Sequence, residues 1–383
     1  MKVAMLTTTG PSCGIAAYTK ELITALRDLV EVNVAPITVG RQPVEHYRAQ
    51  AEQLNRADVV HVQHEHSFWG GILPGHSAYW ELRYLIKKPL VITAHTTSSL
   101  AEMFKINTER RPHKWLVKRL LLLNKSYRDS IEAAPFVTGW CIVHTEAACR
   151  TLIARGANPQ YVTVIPAGVP TVYRCEDGGS AIRQKFGLTG RIVTLFGFIA
   201  PNKGYELMLA ILPNLPPDVR LVFAGGARTE EMKSYERALS EKIRQSGLID
   251  RVLITGYLSD EELAGLMEIS HVVAAPHTYA TGSYSITIPL AYGKPIVASD
   301  LDCFREIYEA VPCLDIFHNG DATDLLTKLN GLLSDSHHRE ELSQKALEYA
   351  RERSWPAIAQ KTLRVYERAI AAARFRDLSI ERR

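Results

Sequence analysis

A doubly wound α/β architecture, laid down twice in succession, is what this sequence predicts. Short apolar, β-branched runs alternate with amphipathic helical segments, the pattern of a parallel sheet covered on both faces. The rhythm breaks once, across the Gly- and Pro-rich stretch 165–191, and then restarts. The length of 383 residues suits two domains of roughly 170–200 residues and exceeds one ordinary domain.

In order, Lys2–Thr7 reads as a strand and 16–29 as a helix with Tyr18, Leu22, Ile23 and Leu26 on one face. Runs at 32–37, 58–63, 89–94, 136–143 and 161–165 complete the first set of strands. Residues 176–180, Glu-Asp-Gly-Gly-Ser, form a turn cluster inside the break. The second set is 192–196, 220–224, 252–255, 271–275 and 295–299, with helices at 230–245 and 260–269 between. Ser259 and Glu262 have the spacing of a capping box for the latter. Beyond Gly331 the strands stop and helices at 338–353 and 357–373 close the chain. The boundaries expected are 1–172, 173–355 and a final helix over 356–383.

Composition excludes several classes. Apolar residues at 46% and charged residues at 22% rule out wholesale disorder. A net charge of +4 lacks the clustered excess of a dedicated nucleic-acid binder. The six cysteines form no CxxC pair, so they read as reduced thiols of a cytoplasmic protein. No apolar run approaches the ~20 residues that span a bilayer, and the N-terminus is too quickly polar for a signal peptide.

In doubly wound sheets, ligands bind beyond the carboxyl ends of the strands. The first such turn carries Gly14 just ahead of a helix whose leading N–H groups suit an anion. The turn is not GxGxxG, so a dinucleotide is a weak reading, and a glycine there also serves any strand-to-helix turn. The second unit opens with Leu195-Phe196-Gly197-Phe198, followed by Lys203 at a helix start, in reach of a phosphate or simply solvated. The turn Gly282-Ser283-Tyr284-Ser285-Ile286 offers hydroxyls and backbone N–H groups at another helix start, suited to a pyrophosphate or to plain capping. His95 ends a strand and so stands on the ligand side of the sheet, or bonds a loop carbonyl. His61, His64 and His66 invite a metal, but no Cys or Asp cluster joins them.

Taken together, GIAAYTKELITAL at 14–26, VHVQHEHSFWGG at 60–71, VITAHTT at 91–97, VIPAGVP at 164–170 and LFGFIAPNKG at 195–204 resemble the retaining glycosyltransferases of family 4. VFAGG at 222–226, TGYLSDEEL at 255–263 and LAYGKPIVASD at 290–300 extend the resemblance, and 354–369 is similar to the family's closing helix. It implies the GT-B fold: two Rossmann-like doubly wound domains facing a cleft, with a C-terminal helix crossing back to the first domain. It also implies transfer of a hexose from a nucleotide-diphosphate sugar, GDP- or UDP-linked, to a glycan or lipid-linked acceptor. The donor would be held by Gly14, Lys203, Gly226, Tyr257, Leu258, Ser283, Tyr284, Ser285 and Ile286, with His95 and Lys203 catalytic. Glu65, His66 and His95 fall on the acceptor side. Neither metal nor cofactor is implied, since lysine and a helix dipole neutralise the diphosphate.

Two departures stand out. Phe198 replaces the family's arginine, and Ala280 and Ile288 replace its paired glutamates, removing charged hydrogen bonds of about 1.5–3 kcal/mol each. A sugar-nucleotide epimerase or hydrolase of the same fold, or a non-catalytic binding subunit, are therefore the alternatives. Finally, 101–130 holds eight Lys/Arg against three Asp/Glu. Lys114, Trp115, Lys118 and Arg119 there fit either an anionic membrane surface or a solvated helix face.

Overall fold

The computed structural model describes residues 1–10, 13–70, 77–97, 120, 139–173 and 175–381. The chain divides into two compact units, Met1–Ala167 with Trp355–Arg383, and Gly168–Ser354.

The first unit runs β1 (Lys2–Thr7), α1 (Gly14–Leu26), β2 (Glu31–Pro36), α2 (Val44–Leu54), β3 (Val59–His64), α3 (Tyr79–Arg83), β4 (Leu90–Ala94), β5 (Trp140–Val143), α4 (Glu146–Ala154) and β6 (Val162–Val164). Its strands form one parallel sheet in the order β2-β1-β3-β4-β5-β6. Every residue of β3 and β4 is buried, as interior strands of a sheet covered on both faces are; β3 buries His61, Gln63 and His64 along with its valines. The edge strand β2 has both apolar and exposed polar positions.

The second unit runs α5 (Ser180–Phe186), β7 (Arg191–Phe196), α6 (Tyr205–Ile211), β8 (Val219–Ala224), α7 (Glu230–Gln245), β9 (Val252–Gly256), α8 (Asp260–Ile269) and β10 (Ser270–Ala275). It continues with α9 (Thr287–Ala291), β11 (Ile296–Ser299), α10 (Asp302–Ala310), β12 (Leu314–Phe317), α11 (Ala322–Ser334) and α12 (Ser336–Glu352). The sheet order is β12-β11-β10-β7-β8-β9, again parallel. The capping box at α8 is present in both directions: Glu262 N–H donates to Ser259 Oγ, and Ser259 N–H donates to the Glu262 carboxylate.

α13 (Trp355–Glu381) returns to the first unit, where it packs on α1, β3 and β4. Its buried side chains, Trp355, Ile358, Ala359, Thr362, Val365, Tyr366 and Ala369, recur every three or four residues on one face.

The structure differs from the sequence reading in three places. The units divide at Ala167 and Gly168, because Val169 N–H already donates to the Arg353 carbonyl at 2.8 Å. The turn cluster 176–180 is also a helix start: Asp177 accepts N–H bonds from Gly179 and Ala181 at 2.9 and 2.7 Å. A thiol and those N–H groups hold its carboxyl well below the usual range. β12 is an added edge strand, with half-buried Asp315 interrupting its apolar run. No helix of the described residues is long and apolar enough to cross a membrane.

Candidate functional site

In the second sheet the chain winds outward from β7 through β8 to β9, then returns to lay β10 on the other side of β7. The carboxyl ends of β7 and β10 therefore flank a topological switch point, where doubly wound sheets bind ligands. Two glycines let the turns there close-pack. Gly225 has φ +146°, and a Cβ on it would lie 2.0 Å from the Gly197 carbonyl oxygen. Gly204 has φ +76°, and a Cβ there would lie 1.9 Å from the Pro276 carbonyl oxygen. Asn202 ties the same turns together, its Nδ2 donating to the Tyr279 carbonyl at 2.9 Å and its carbonyl accepting from Thr278 N–H at 2.9 Å.

These locks place Lys203, the last residue of a 3-10 turn over Pro201–Lys203. A Cβ at Gly197 would sit 3.3 Å from Ser285 Oγ and 3.7 Å from Lys203 Nζ. The lysine amine, the Ser285 hydroxyl and the bare Gly197 backbone thus border one small space, with Ser283 Oγ 3.0 Å from Ser285 Oγ. Burial pushes the Lys203 ammonium down to about 8. Among the described residues no carboxylate pairs with it. His277, in the turn two residues beyond β10, is buried and stacks on Phe304 at 5.2 Å. Its Nδ1 has no hydrogen-bond partner, and burial, with the Lys203 charge second, holds the ring neutral well below the ordinary histidine value. A desolvated cation with hydroxyls beside it is a place for an anion, because burying such a charge alone is costly.

A second group borders the same strand ends. Gly226 leaves room for Tyr257, whose Cε2 would be 2.9 Å from a Cβ at that position. Tyr257 is 55% exposed and meets Phe198 edge-on at 6.3 Å. The Arg228 guanidinium stands 5.3 Å over the Phe198 ring, so a cation occupies the neighbourhood that lacks one at 198 itself.

Some sequence expectations are corrected here. The Ile286 side chain lies in the core, leaving only its backbone to a ligand, and Leu258 is partly buried against another part of the core. Tyr284–Ile286 is a 3-10 turn and α9 has five residues, too short for the helix dipole expected at Ser283–Ile286; hydroxyls and lysine remain. Ala280 and Ile288 pack against the apolar core, so carboxylates are replaced there by hydrocarbon.

The first sheet has its switch point between β1 and β3. Gly14 starts α1, and nothing lies within 4 Å of where its Cβ would be. His95 follows β4 and is partly buried, with Tyr18 of α1 edge-on at 5.1 Å and His144 at 5.3 Å. Its Nε2 lies 2.8 Å from Gln63 Oε1. Burial, then neighbouring His144, His61 and His64, keeps His95 neutral, well below the ordinary value. Thr96 Oγ1 donates to the Glu65 carboxylate, and His66 packs edge-on to buried His64 at 5.0 Å. Both nitrogens of His61 are engaged, with Tyr366 and Thr93, at 2.7 Å each.

Of the expected residues, Lys203, Ser283 and Ser285 come together; Gly226 and Tyr257 form their own pair; His95, Glu65, His66 and Gly14 belong to the first unit. Lys114, Trp115, Lys118 and Arg119 lie outside the described residues. Arg228, His277, Gln63 and His144 were missed. For His277 a signal existed, since it stands two residues beyond β10, in the turn that leads to Ser283, much as His95 follows β4.

Residues 38–173 match the family model for Glycosyltransferase Family 4, and 180–352 match that for Glycosyl transferases group 1. This chain belongs to the family 4 glycosyltransferases. The phosphatidyl-myo-inositol mannosyltransferase of Mycobacterium leprae is 26% identical over 298 residues, 75% of this chain and 69% of that enzyme. The alpha-maltose-1-phosphate synthase of Mycolicibacterium smegmatis is 25% identical over 411 residues, 97% of this chain and 100% of that one. Among solved structures, Anabaena HepE in complex with UDP and glucose superposes with a TM-score of 0.72 at 17% identity, covering 96% of this chain and 99% of HepE. Sucrose-phosphate synthase from Thermosynechococcus elongatus gives 0.73 at 18% identity, covering 97% of this chain and 100% of that one. The fold of this glycosyltransferase is thus GT-B.

Proposed function

We propose that this glycosyltransferase moves a hexose, with retention of anomeric configuration, from a GDP- or UDP-linked sugar to a glycan or lipid-linked acceptor. The observation that carries the reading is Lys203: a sheltered ammonium without a carboxylate partner among the described residues, sharing a small space with Ser285 Oγ and the Gly197 backbone. Departure of a nucleoside diphosphate builds charge on its β-phosphate. A preorganised cation and hydroxyl donors stabilise that charge more in the transition state than in the ground state. Front-side attack by the acceptor hydroxyl needs no protein nucleophile. Tyr257 and Phe198 offer aromatic surface for the nucleobase, Arg228 a second cation, and His95 a contact to a sugar hydroxyl. The mannosyltransferases among its relatives support a hexose. The inositol-lipid enzyme among them supports a lipid-linked acceptor.

With lysine in this role, turnover is expected to survive EDTA. Thermal stabilisation by a panel of GDP-, UDP- and ADP-sugars identifies the donor, because bound ligand raises stability with its concentration. Product analysis by NMR then reads anomeric configuration. Donor turnover without an acceptor would instead identify a hydrolase or epimerase. Lys203→Ala is expected to cut transfer by ~10²–10³-fold, the scale of losing one transition-state donor; a folded variant with wild-type turnover removes Lys203 from the mechanism. The basic stretch holding Lys114, Lys118 and Arg119 is proposed to bring the enzyme to an anionic, cytosolic membrane face. Salt-insensitive recovery in the supernatant with anionic vesicles would refute this.

A further inference from the structure

Five side chains from three strands and α13 form a continuous hydrogen-bonded chain behind His95. His95 Nε2 is 2.8 Å from Gln63 Oε1. Gln63 Nε2 is 3.3 Å from His61 Nε2 and 3.3 Å from Met5 Sδ. His61 Nε2 is 2.7 Å from Thr93 Oγ1, and His61 Nδ1 is 2.7 Å from Tyr366 Oη. The grouping follows from the strand period: Met5 pairs with His61 and Gln63 with Thr93 across the parallel register, so all four point to one sheet face. α13 covers that face. Apart from His95, every member is buried.

Burial keeps both imidazoles neutral: His61 is lowered to about 3, and His95 lies well below the ordinary value. Each ring therefore carries a single N–H, which makes the chain directional. Two self-consistent arrangements exist. In one, His61 Nδ1–H donates to Tyr366, His61 Nε2 accepts from Thr93 and from the Gln63 amide, and His95 Nε2–H donates to Gln63 Oε1. In the other the amide is turned over and every bond reverses, placing the His95 proton on Nδ1. Met5 decides between them. A thioether sulfur has lone pairs and no proton, so it accepts from the amide N–H and repels the amide oxygen. The first arrangement leaves His95 Nδ1 as a bare lone pair with no protein partner among the described residues.

We propose that Gln63 is a positioning residue that, backed by Met5, His61 and Tyr366, holds His95 in its Nε2–H tautomer so that Nδ1 accepts a hydrogen bond from a sugar hydroxyl. This rests on the reading of His95 as a sugar contact, and it adds selectivity: a neutral ring presenting a lone pair accepts from O–H groups and repels phosphate or carboxylate oxygens.

The test is ¹⁵N NMR of the full-length protein with labelled histidine, which reads the tautomer without any substrate. Wild-type His95 is expected protonated at Nε2. Gln63→Met keeps the length but removes the acceptor, so the single tautomer is lost and kcat/KM falls about 3–10-fold, the worth of one neutral hydrogen bond. Gln63→Glu still accepts from Nε2–H and is expected to keep that tautomer, while its buried charge against Met5 Sδ and His61 lowers stability. Tyr366→Phe deletes one oxygen. It frees His61 to donate from Nε2 and is expected to turn the His95 proton toward Nδ1, a readout that survives if Gln63→Met does not fold. Wild-type protonation at Nδ1, or a His95 tautomer unmoved by both Gln63→Met and Tyr366→Phe, overturns the proposal. Unchanged turnover in His95→Ala overturns the sugar-contact reading and leaves the tautomer result to stand alone.

Discussion

Burial lowers the Lys203 ammonium from 10.5 to about 8, and the sign of that shift decides what a substitution does. The folded state disfavours the charged form. Below pH 8 both folded and unfolded chains carry the proton, and the desolvation cost is fully present. Between about 8 and 10.5 the unfolded chain holds more protons than the folded one, so stability rises with pH across that window. At roughly 1.4 kcal/mol per unit, the cost at neutral pH is on the order of 1–3 kcal/mol once partial exposure is allowed for. Lys203→Met is therefore expected to raise stability at pH 7 while reducing turnover, with the gain shrinking by pH 10. Urea titrations at the two pH values measure it. Calorimetry supplies the complement: wild-type nucleotide affinity should weaken above pH 8, and the variant's should not. A variant less stable than wild type at pH 7 would mean that the amine has found a compensating partner and is not awaiting an anion.

At the scale of elements, glycines separate fold from function. Gly204 must adopt φ +76°, and its Cβ would meet the Pro276 carbonyl at 1.9 Å. Gly204→Ala combines left-handed backbone strain with a clash against another turn, a cost of about 2–4 kcal/mol. Gly14 has open space on its Cβ side and starts a helix, so Gly14→Ala is expected to keep or slightly raise stability. If the donor approaches there, its KM rises all the same. Comparing melting temperatures and donor KM for the two variants decides the point; a destabilised Gly14→Ala with unchanged KM would return that glycine to a structural role. Much of this scale was legible in sequence. Continuous Val/Ile runs identified the buried strands, and the bounds of α7 and α8 were read directly from periodicity and capping. β12 was not, because Asp315 interrupts a four-residue edge strand. The period of two puts His61 and Gln63 on one strand face, but nothing local shows that Tyr366, 305 residues from His61, completes their hydrogen bonding. Nor could spacing show that Ile286 turns inward while Arg228 stands over Phe198.

At the scale of the molecule, the two units differ in how the chain builds them. The second is one continuous segment, Gly168–Ser354, with its own apolar cores and with Gly197, Lys203, Gly226, Tyr257 and Ser285 all inside it. The first needs two segments: α13 supplies Trp355, whose ring meets Tyr18 at 5.0 Å, and Tyr366, which closes the His61 hydrogen bonds. Without α13, the face of β3 and β4 bearing His61, Gln63 and Thr93 loses its cover, and buried polar groups lose a partner at about 1–3 kcal/mol each. The fragment 168–354 is therefore expected to fold alone, to melt cooperatively and to be stabilised by the cognate nucleoside diphosphate in a Lys203-dependent way. The fragment 1–167 is expected to aggregate or stay unfolded unless a peptide covering 355–381 is supplied. Circular dichroism and thermal shift on the two fragments, with and without that peptide, read the outcome. A cooperatively folded 1–167, or a folded 168–354 indifferent to every nucleoside diphosphate, would show that the helix or the second unit's site plays a different part.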